Sequence, residues 1–443
     1  METKMINLTR RDALKLGLAG GLMLAAARPA AALVKVTVSG ATFQPLPIAV
    51  PDFASADPNF GKAIADIVRN DLTRSGLFAV VDQATLPQQV GSVSAQPQFA
   101  AWTGVGAQAV VMGQVQQGGS IESAVRVWDT QAQAQVVGKS YQTDPSNFRR
   151  VAHIIADAVY ESLTGEGGYF DSRVAFVAES GPKANRTKRL AIMDQDGANV
   201  QYITQGTHET MTPRFSPSAR QLAYIALDSG DPQVYILDLA SGRSQALGKI
   251  GAMTFAPRFS PDGRTLVFSV EGGGTTNIFS MPLGGGQPQQ LTSGASIDTS
   301  PSFSPDGANI VFQSDRGGSS QLYVMPASGG QAQRISFGEG SYNTPAWSPK
   351  GDYIAFTKQG GGDAGPFSIG IMAPDGSGEK ILYSGFHAEG PTWAPNSRVL
   401  MYFSDPGGDS GPSLYTVDVW GRANNKVTTT TYASDPAWGP LRN

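Results

Sequence analysis

The side chains best suited to chemistry are few and scattered. The chain has no cysteine, which excludes disulfides, thiol catalysis and cysteine metal sites. Its three histidines are His153, His208 and His387. His153 sits in a stretch with helical periodicity, and the other two sit in loops between repeats. No metal site is expected from them. Residues 407–413 read GGDSGPS, and Ser410 has the short glycine-flanked setting that could seat a nucleophile. No histidine and aspartate in a matching context accompany it, so a Gly/Ser-rich loop between two strands is the expected reading. No G-x-S-x-G elbow occurs. The stretch GEGSYN lacks the lysine and the strand–loop–helix context of a phosphate loop. Paired carboxylates are not singled out by any spacing. Neither catalysis nor a bound cofactor or metal is expected.

What remains is architecture and surface. Charged residues are only 16% of the chain, while glycine (53) and proline (29) are plentiful, as in a turn-rich, largely β protein. A net charge of −3 is too small to argue for nucleic acid or an anionic membrane as partner. Residues 1–32 read as a secretory signal, with a basic start, an apolar stretch from Leu16 to Ala27 and small residues at Ala30 and Ala32. The apolar stretch is too short to span a bilayer. Thr9, Arg10, Arg11, Leu14 and Lys15 fit a twin-arginine export pattern, with the general route as the alternative. The mature chain is expected to be soluble, without membrane insertion.

A repeat dominates the second part of the chain. Five phrases align: TPRFSPSARQLAYI, APRFSPDGRTLVFS, SPSFSPDGANIVFQ, TPAWSPKGDYIAFT and GPTWAPNSRVLMYF. Their first aromatics are Phe215, Phe259, Phe303, Trp347 and Trp393, with Trp438 as a sixth, at intervals of 44 to 46 residues. A second aromatic follows nine residues later in five of them, at Tyr224, Phe268, Phe312, Phe356 and Tyr402. This period is that of a four-stranded propeller blade. Proline, aspartate and glycine at 261–263 and 305–307 supply the turn between the first two strands of a blade.

The sixth phrase, DPAWGPLRN, holds only a first strand, with a turn expected from Pro440. The missing strands resemble SRVAFVAES, KRLAIMDQDG and NVQYITQ, which precede the first full repeat. The span from Ser172 to Asn443 is close to six periods. The expected fold class is α+β: a small N-terminal α/β domain (33–168), then a six-bladed β-propeller (169–443). Strands from both ends of the repeat region close the ring and leave no open edge between the first and last blades. In the first domain, PIAVPDF, LFAVVDQ and AQAVVMGQVQQ read as strands, and 121–143 as a hairpin. Residues 59–76 and 147–165 read as amphipathic helices.

The loops that enter each blade open onto one face around the channel. They carry His208, Glu209, Thr210 and Met211; Met253, Thr254 and Phe255; Asp298, Thr299 and Ser300; Tyr342, Asn343 and Thr344; and His387, Glu389 and Gly390. Aromatic, methionine and polar groups are mixed as in a recognition surface. Ordinary polar loops are the alternative.

Signal, small α/β domain and six FSPDG-type repeats together resemble the TolB family, the periplasmic components of the Tol–Pal cell-envelope system. PIAVPDF, residues 85–115, the helix ending ESLTGEGG and the broken repeat DPAWGP carry the resemblance outside the common repeats. The resemblance implies a non-enzymatic, monomeric periplasmic protein. It implies that the channel-mouth loops bind the outer-membrane lipoprotein Pal. It also implies that the mature N-terminus, about Leu33 to Gln44 with Leu33, Val34, Val36, Val38 and Phe43, binds the C-terminal domain of TolA. The function implied is support of outer-membrane invagination at division and of envelope integrity. Ala256 and Thr299 match the family's Pal-contact residue types, whereas Met253 and Ser300 depart from them. A propeller enzyme or a small-ligand-binding propeller is the alternative.

Overall fold

The computed structural model describes residues 34–36, 43–87, 93–228, 230–248, 250–360 and 365–442. The signal segment 1–32, Leu33 and Val38 lie outside the described residues.

The first domain comprises β1 (Leu46–Ala49), α1 (Pro58–Arg74), β2 (Phe78–Val80), α2 (Phe99–Gly104), β3 (Ala109–Gln117), β4 (Ile121–Asp129), β5 (Ala134–Thr143) and α3 (Phe148–Thr164). The sheet order is β2-β1-β3-β4-β5, with β1 parallel to both neighbours and β3 to β5 an antiparallel meander. Helix α1 starts where the Asp57 side chain accepts the Asn59 N–H at 3.0 Å, with Pro58 in the first turn. Its apolar stripe Ile64, Ile67, Val68 and Leu72 is buried. Helix α3 buries Val151, Ile155, Val159 and Leu163 and stops at Gly165, whose φ of 75° is left-handed. Both helices share one core with β1, β3 and β4. The short α2 packs Phe99 and Trp102 with Val110, Met112 and Trp128 in a second cluster. Six residues are too few to leave a periodic signal, and α2 was not expected from sequence.

Six four-stranded antiparallel sheets follow. Five are continuous in sequence, beginning at Thr210, Met253, Asp298, Ser341 and His387. The sixth has the order terminal strand (Tyr432–Leu441), β6 (Ser172–Ser180), β7 (Thr187–Asp194), β8 (Gln201–Tyr202). The two ends of the repeat region therefore share one blade, and the ring is closed. One expectation needs correcting. The last strand does not turn at Pro440; it runs on to Leu441, which pairs with Ser172 after a second register shift. The proline is tolerated because the innermost strand is an edge of its blade. Trp438 Nε1 donates to Ser172 Oγ at 2.8 Å and Ser434 Oγ donates to Glu179 Oε1 at 2.5 Å across this seam.

The repeat phrase holds two devices. At the turn, Asp262 Oδ1 accepts the Ser260 hydroxyl (2.5 Å) and the Arg264 N–H (3.0 Å), and Gly263 sits at φ 69°. The same set recurs at Ser304, Asp306 and Gly307. The serine hydroxyl and the backbone N–H hold both aspartates below the usual carboxylate range.

The second device lies inside each innermost strand. Every pairing shifts register at an X-Pro step, where two residues face one on the next strand. The X residues are Thr212, Ala256, Ser300, Thr344, Gly390 and Asp435, with φ between 46° and 67°. The residue facing each bulge is the second aromatic of the repeat, and Phe176 completes the six. All are buried. Burying such a ring is worth roughly 1.5–3 kcal/mol. That exceeds the roughly 1–2 kcal/mol a left-handed non-glycine residue costs.

The first domain packs on the turns between strands one and two and between strands three and four. Glu166 pairs with Lys350 and with Arg398 (3.1 Å), and Asn425 Nδ2 donates to the Arg74 carbonyl (3.0 Å). Buried Asp71 of α1 accepts from His153 Nδ1 of α3 (2.6 Å) and from Gln195 Nε2 of the propeller (2.8 Å). One end of the channel is thus the domain junction, and the other is the mouth.

Candidate functional site

The mouth is built from the connections entering each blade and the first residues of the innermost strands. Sequence reasoning placed all the mouth residues in loops. Among them only His208 and Glu209 are in one; Thr210, Met253, Thr254, Ala256, Asp298, Thr299, Ser300, Tyr342, Asn343, Thr344 and Glu389 lie in innermost strands. The difference arises because each innermost strand starts before its bulge, and the left-handed residue and proline interrupt the alternation that signals a strand.

Position relative to the bulge sorts these residues. Two places before X, the side chains of Thr210, Thr254, Asp298, Tyr342, Ala388 and Ala433 are all buried. Thr254 Oγ1 accepts the Val234 N–H (2.9 Å), Asp298 pairs with Arg316 (2.8 Å), and the Tyr342 hydroxyl donates to Glu379 (2.7 Å). Thr299, one place before X, is also buried and shares a hydrogen bond with Ser269 at 2.9 Å. These five site residues shape the mouth from within rather than present a surface. Met253, Ala256, Ser300, Asn343, Thr344 and Glu389 are half-buried around the channel, and His208 and Glu209 are exposed at the rim. His208 pairs with Asp228 at 3.0 Å and Glu209 with Lys188 at 2.6 Å.

The sequence reading missed the rim's largest apolar groups. Phe337 (73% exposed), Phe386 (74%), Ile297 (50%) and Tyr432 (37%) all lie in or beside the connections that enter a blade. Their position was legible, since each comes three to seven residues before the start of a repeat phrase. Their exposure was not. Single apolar side chains are ordinary on a surface, but these four mark four successive blade entries on one face, as a broken apolar rim. At the bulge of the closing blade, Asp435 Oδ2 accepts the Thr212 N–H at 3.3 Å, and Arg214 acts on that carboxylate through its charge alone. Burial lowers the Arg214 guanidinium to about 10 with Asp435 opposing, and burial raises Asp435 with Arg214 opposing. Burial also raises Glu389 despite His387 beside it at 3.4 Å.

The catalytic and metal alternatives gain little. Ser410 lies in the loop between the second and third strands of the fifth blade, where its carbonyl accepts from Arg186 at 2.8 Å. Among the described residues, one group of His and acidic side chains is close enough to hold a metal ion: His153, Asp194 and Asp196. Arg149 already pairs with both of those carboxylates. Burial disfavours charge on His153, but Asp71, Asp196 and Asp194 outweigh it and raise its pKa to about 9. That cluster is a self-neutralised ion network at the junction, far from the mouth.

The expected N-terminal binding segment is partly docked. Val34 N–H donates to Asp129 Oδ2 (2.6 Å) and Val36 N–H to the Leu163 carbonyl (2.7 Å), while Val34, Val36 and Phe43 pack on the main core. The Arg422 guanidinium stacks on Phe43 at 4.5 Å.

Residues 160–442 match the family model described as the TolB beta propeller domain, and residues 34–136 match the TolB amino-terminal domain. The chain belongs to the TolB family. TolB from Acinetobacter baumannii is similar at 27% identity, covering 90% of this chain and 97% of that one, with a TM-score of 0.80. Two further solved structures share the fold alone, at a TM-score of 0.50 each. Hydrazine synthase of Kuenenia stuttgartiensis has 13% identity over 62% of this chain and 47% of its own. A chain of the nidogen/laminin complex has 10% identity over 61% and 100%. Family membership makes this TolB-family chain a component of the Tol–Pal system. No helix among the described residues is long and apolar enough to cross a membrane.

Proposed function

We propose that the chain works in the periplasm as a non-enzymatic adaptor that binds Pal at the channel mouth and the C-terminal domain of TolA through its N-terminal segment. The observation that carries this reading is the mouth itself: exposed Phe337, Phe386, Ile297 and Tyr432 mark four successive blade entries beside half-buried polar groups of the innermost strands. An apolar anchor set beside satisfiable polar positions is the composition of a protein-docking patch. The TolA site is the stretch from Leu33 to Gln44. Since Val34 and Val36 are hydrogen-bonded to the domain, TolA competes with that docking, and its apparent affinity falls by the fraction of time the segment is docked. Tethering Pal to TolA in this way supports outer-membrane invagination at division and envelope integrity.

Calorimetry of the mature chain with purified Pal is expected to give a stoichiometric complex. Deleting residues 33–44 is expected to abolish TolA binding while Pal binding persists. A mature chain that binds neither partner at high micromolar concentration would overturn the assignment.

A further inference from the structure

A cavity of about 440 Å³ lies where the terminal strand, β6 to β8 and the start of α3 meet. This is within the size range of small-molecule sites. Four arginines line it: Arg149, Arg150, Arg173 and Arg442. Two of them are committed. Arg149 pairs with Asp194 and Asp196, and Arg150 pairs with Asp171 at 3.1 Å and donates to the Arg442 carbonyl at 2.9 Å. The other two are not. Arg442 reaches Asp171 and Asp194 only at 4.0 and 3.9 Å. The Arg173 side chain has no hydrogen bond or ion pair among the described residues. It faces Asp194 across the β6–β7 pairing, but that carboxylate already accepts from Arg149 and, at 2.6 Å, from Asn199.

Gathering guanidinium groups in a half-buried cavity is unfavourable unless an anion joins them. Burial and the neighbouring Arg442 lower the Arg173 pKa even though Asp194 and Asp171 oppose them. The planar guanidinium fork matches the oxygens of a carboxylate or phosphate. Asn147 at the head of the 17-residue α3 also lines the cavity and makes no side-chain cap there. The cavity is several times larger than a lone oxyanion needs, so room remains for an organic body.

We propose that this cavity binds a small organic oxyanion, its phosphate or carboxylate group held by Arg173 and Arg442, at the seam between the closing blade and the N-terminal domain. The site is separate from the mouth and from the N-terminal segment. Its ligand bridges α3 to the terminal strand and so stabilises both the ring closure and the domain junction.

The test uses the whole mature chain, with calorimetry and thermal melting at fixed ionic strength. Three probes are titrated: inorganic phosphate, glycerol 3-phosphate and succinate. One saturable site is expected for at least one probe, with a melting temperature that rises with its concentration. Tighter binding of glycerol 3-phosphate than of phosphate identifies a phosphorylated organic ligand; preference for succinate identifies a carboxylate. Arg173→Gln is expected to weaken binding at least about tenfold. Without probe, it should melt at the same temperature or higher, because a repulsive charge is gone. Arg264→Gln, an exposed arginine on another blade, should bind as the parent does. The proposal is overturned if no probe saturates below about 10 mM, if Arg173→Gln binds like the parent, or if it lowers the probe-free melting temperature. Arg442→Gln, read by the same criteria, decides the matter should Arg173→Gln not fold.

Discussion

The two ends of the propeller channel solve opposite problems. At the junction, polar groups from both domains are paired with one another: Asp71 with His153 and Gln195 in a buried site, Arg149 with Asp194 and Asp196, and Glu166 with Lys350 and Arg398 nearer the surface. At the mouth, aromatic rings stand in solvent and the innermost strands hold left-handed residues before proline. The junction spends its polar chemistry internally and fixes the domains. The mouth leaves apolar area uncommitted and keeps strained backbone that only the aromatics buried across the bulges offset, which is the condition of a surface kept for something else.

The largest effect should come from breaking the junction. Asp71→Ala removes the partner of both His153 and Gln195 in a site with no solvent. Stranding one member of a buried charged pair costs roughly 3–5 kcal/mol. Urea unfolding should show this loss, while Pal affinity at the opposite end stays as it was. A loss below about 1 kcal/mol would mean that the junction is not the stabilising end.

The same network gives stability a pH dependence. His153 has its pKa raised from 6.5 to about 9. Between those values the folded state holds a proton that the unfolded state releases, so this contribution is complete below about 6.5 and is lost as pH rises through 9. Asp157, one turn along α3, is raised to about 7 by burial, although the Asp171 and Phe170 N–H groups oppose it. Its folded form also holds the extra proton, so stability falls from about pH 4 to pH 7. Both slopes have the same sign. For His153 the swing is on the order of 3 kcal/mol. Melting temperature should drop between pH 6.5 and 9 in the parent and stay flatter in His153→Gln. Parallel curves for the two proteins would remove His153 from the account.

At the mouth the expectation reverses, with binding lost and stability kept. Phe337→Ala combined with Phe386→Ala should weaken Pal binding by about 2 kcal/mol or more, roughly thirtyfold. The melting temperature should not move, since both rings are already in water. Unchanged Pal affinity would take the apolar rim out of the docking surface.

The sequence told more about the ring than about its ends. Phe215 and its five counterparts announced six blades because a repeat must place one aromatic per unit, and the broken copy at Trp438 showed how the ring closes. The mouth was legible in location and not in detail. Thr210, Thr254, Asp298, Thr299 and Tyr342 are polar residues that sequence reads as surface. A strand that starts before its bulge turns them inward. The signal was present: Pro213, Pro257, Pro301, Pro345, Pro391 and Pro436 recur two places before each first aromatic. A proline repeated inside a strand marks a bulge. The junction was illegible, because Asp71, His153 and Asp194 lie far apart in sequence and only the docked domains bring them together.

The smallest predicted effect tests whether mouth strain is kept for recognition. Thr212 is a β-branched residue at φ 46°, and its hydroxyl is buried without a partner. The fifth blade has Gly390 at the same place, so glycine fits the geometry. Thr212→Gly removes roughly 1–2 kcal/mol of strain and an unsatisfied hydroxyl, and returns about 0.5–1 kcal/mol of backbone entropy to the unfolded chain. A net gain of about 1 kcal/mol in stability is expected, measured by the denaturant midpoint. If the bulge is held rigid for docking, the same substitution should weaken Pal binding even as it stabilises the fold, because glycine lets the innermost strand relax at the channel rim. Higher stability with unchanged affinity would assign the bulges to blade packing alone. Lower stability would show that the strain is already repaid by Tyr224 across the strand pair, and the contrast between the two ends of the channel would then rest on the apolar rim.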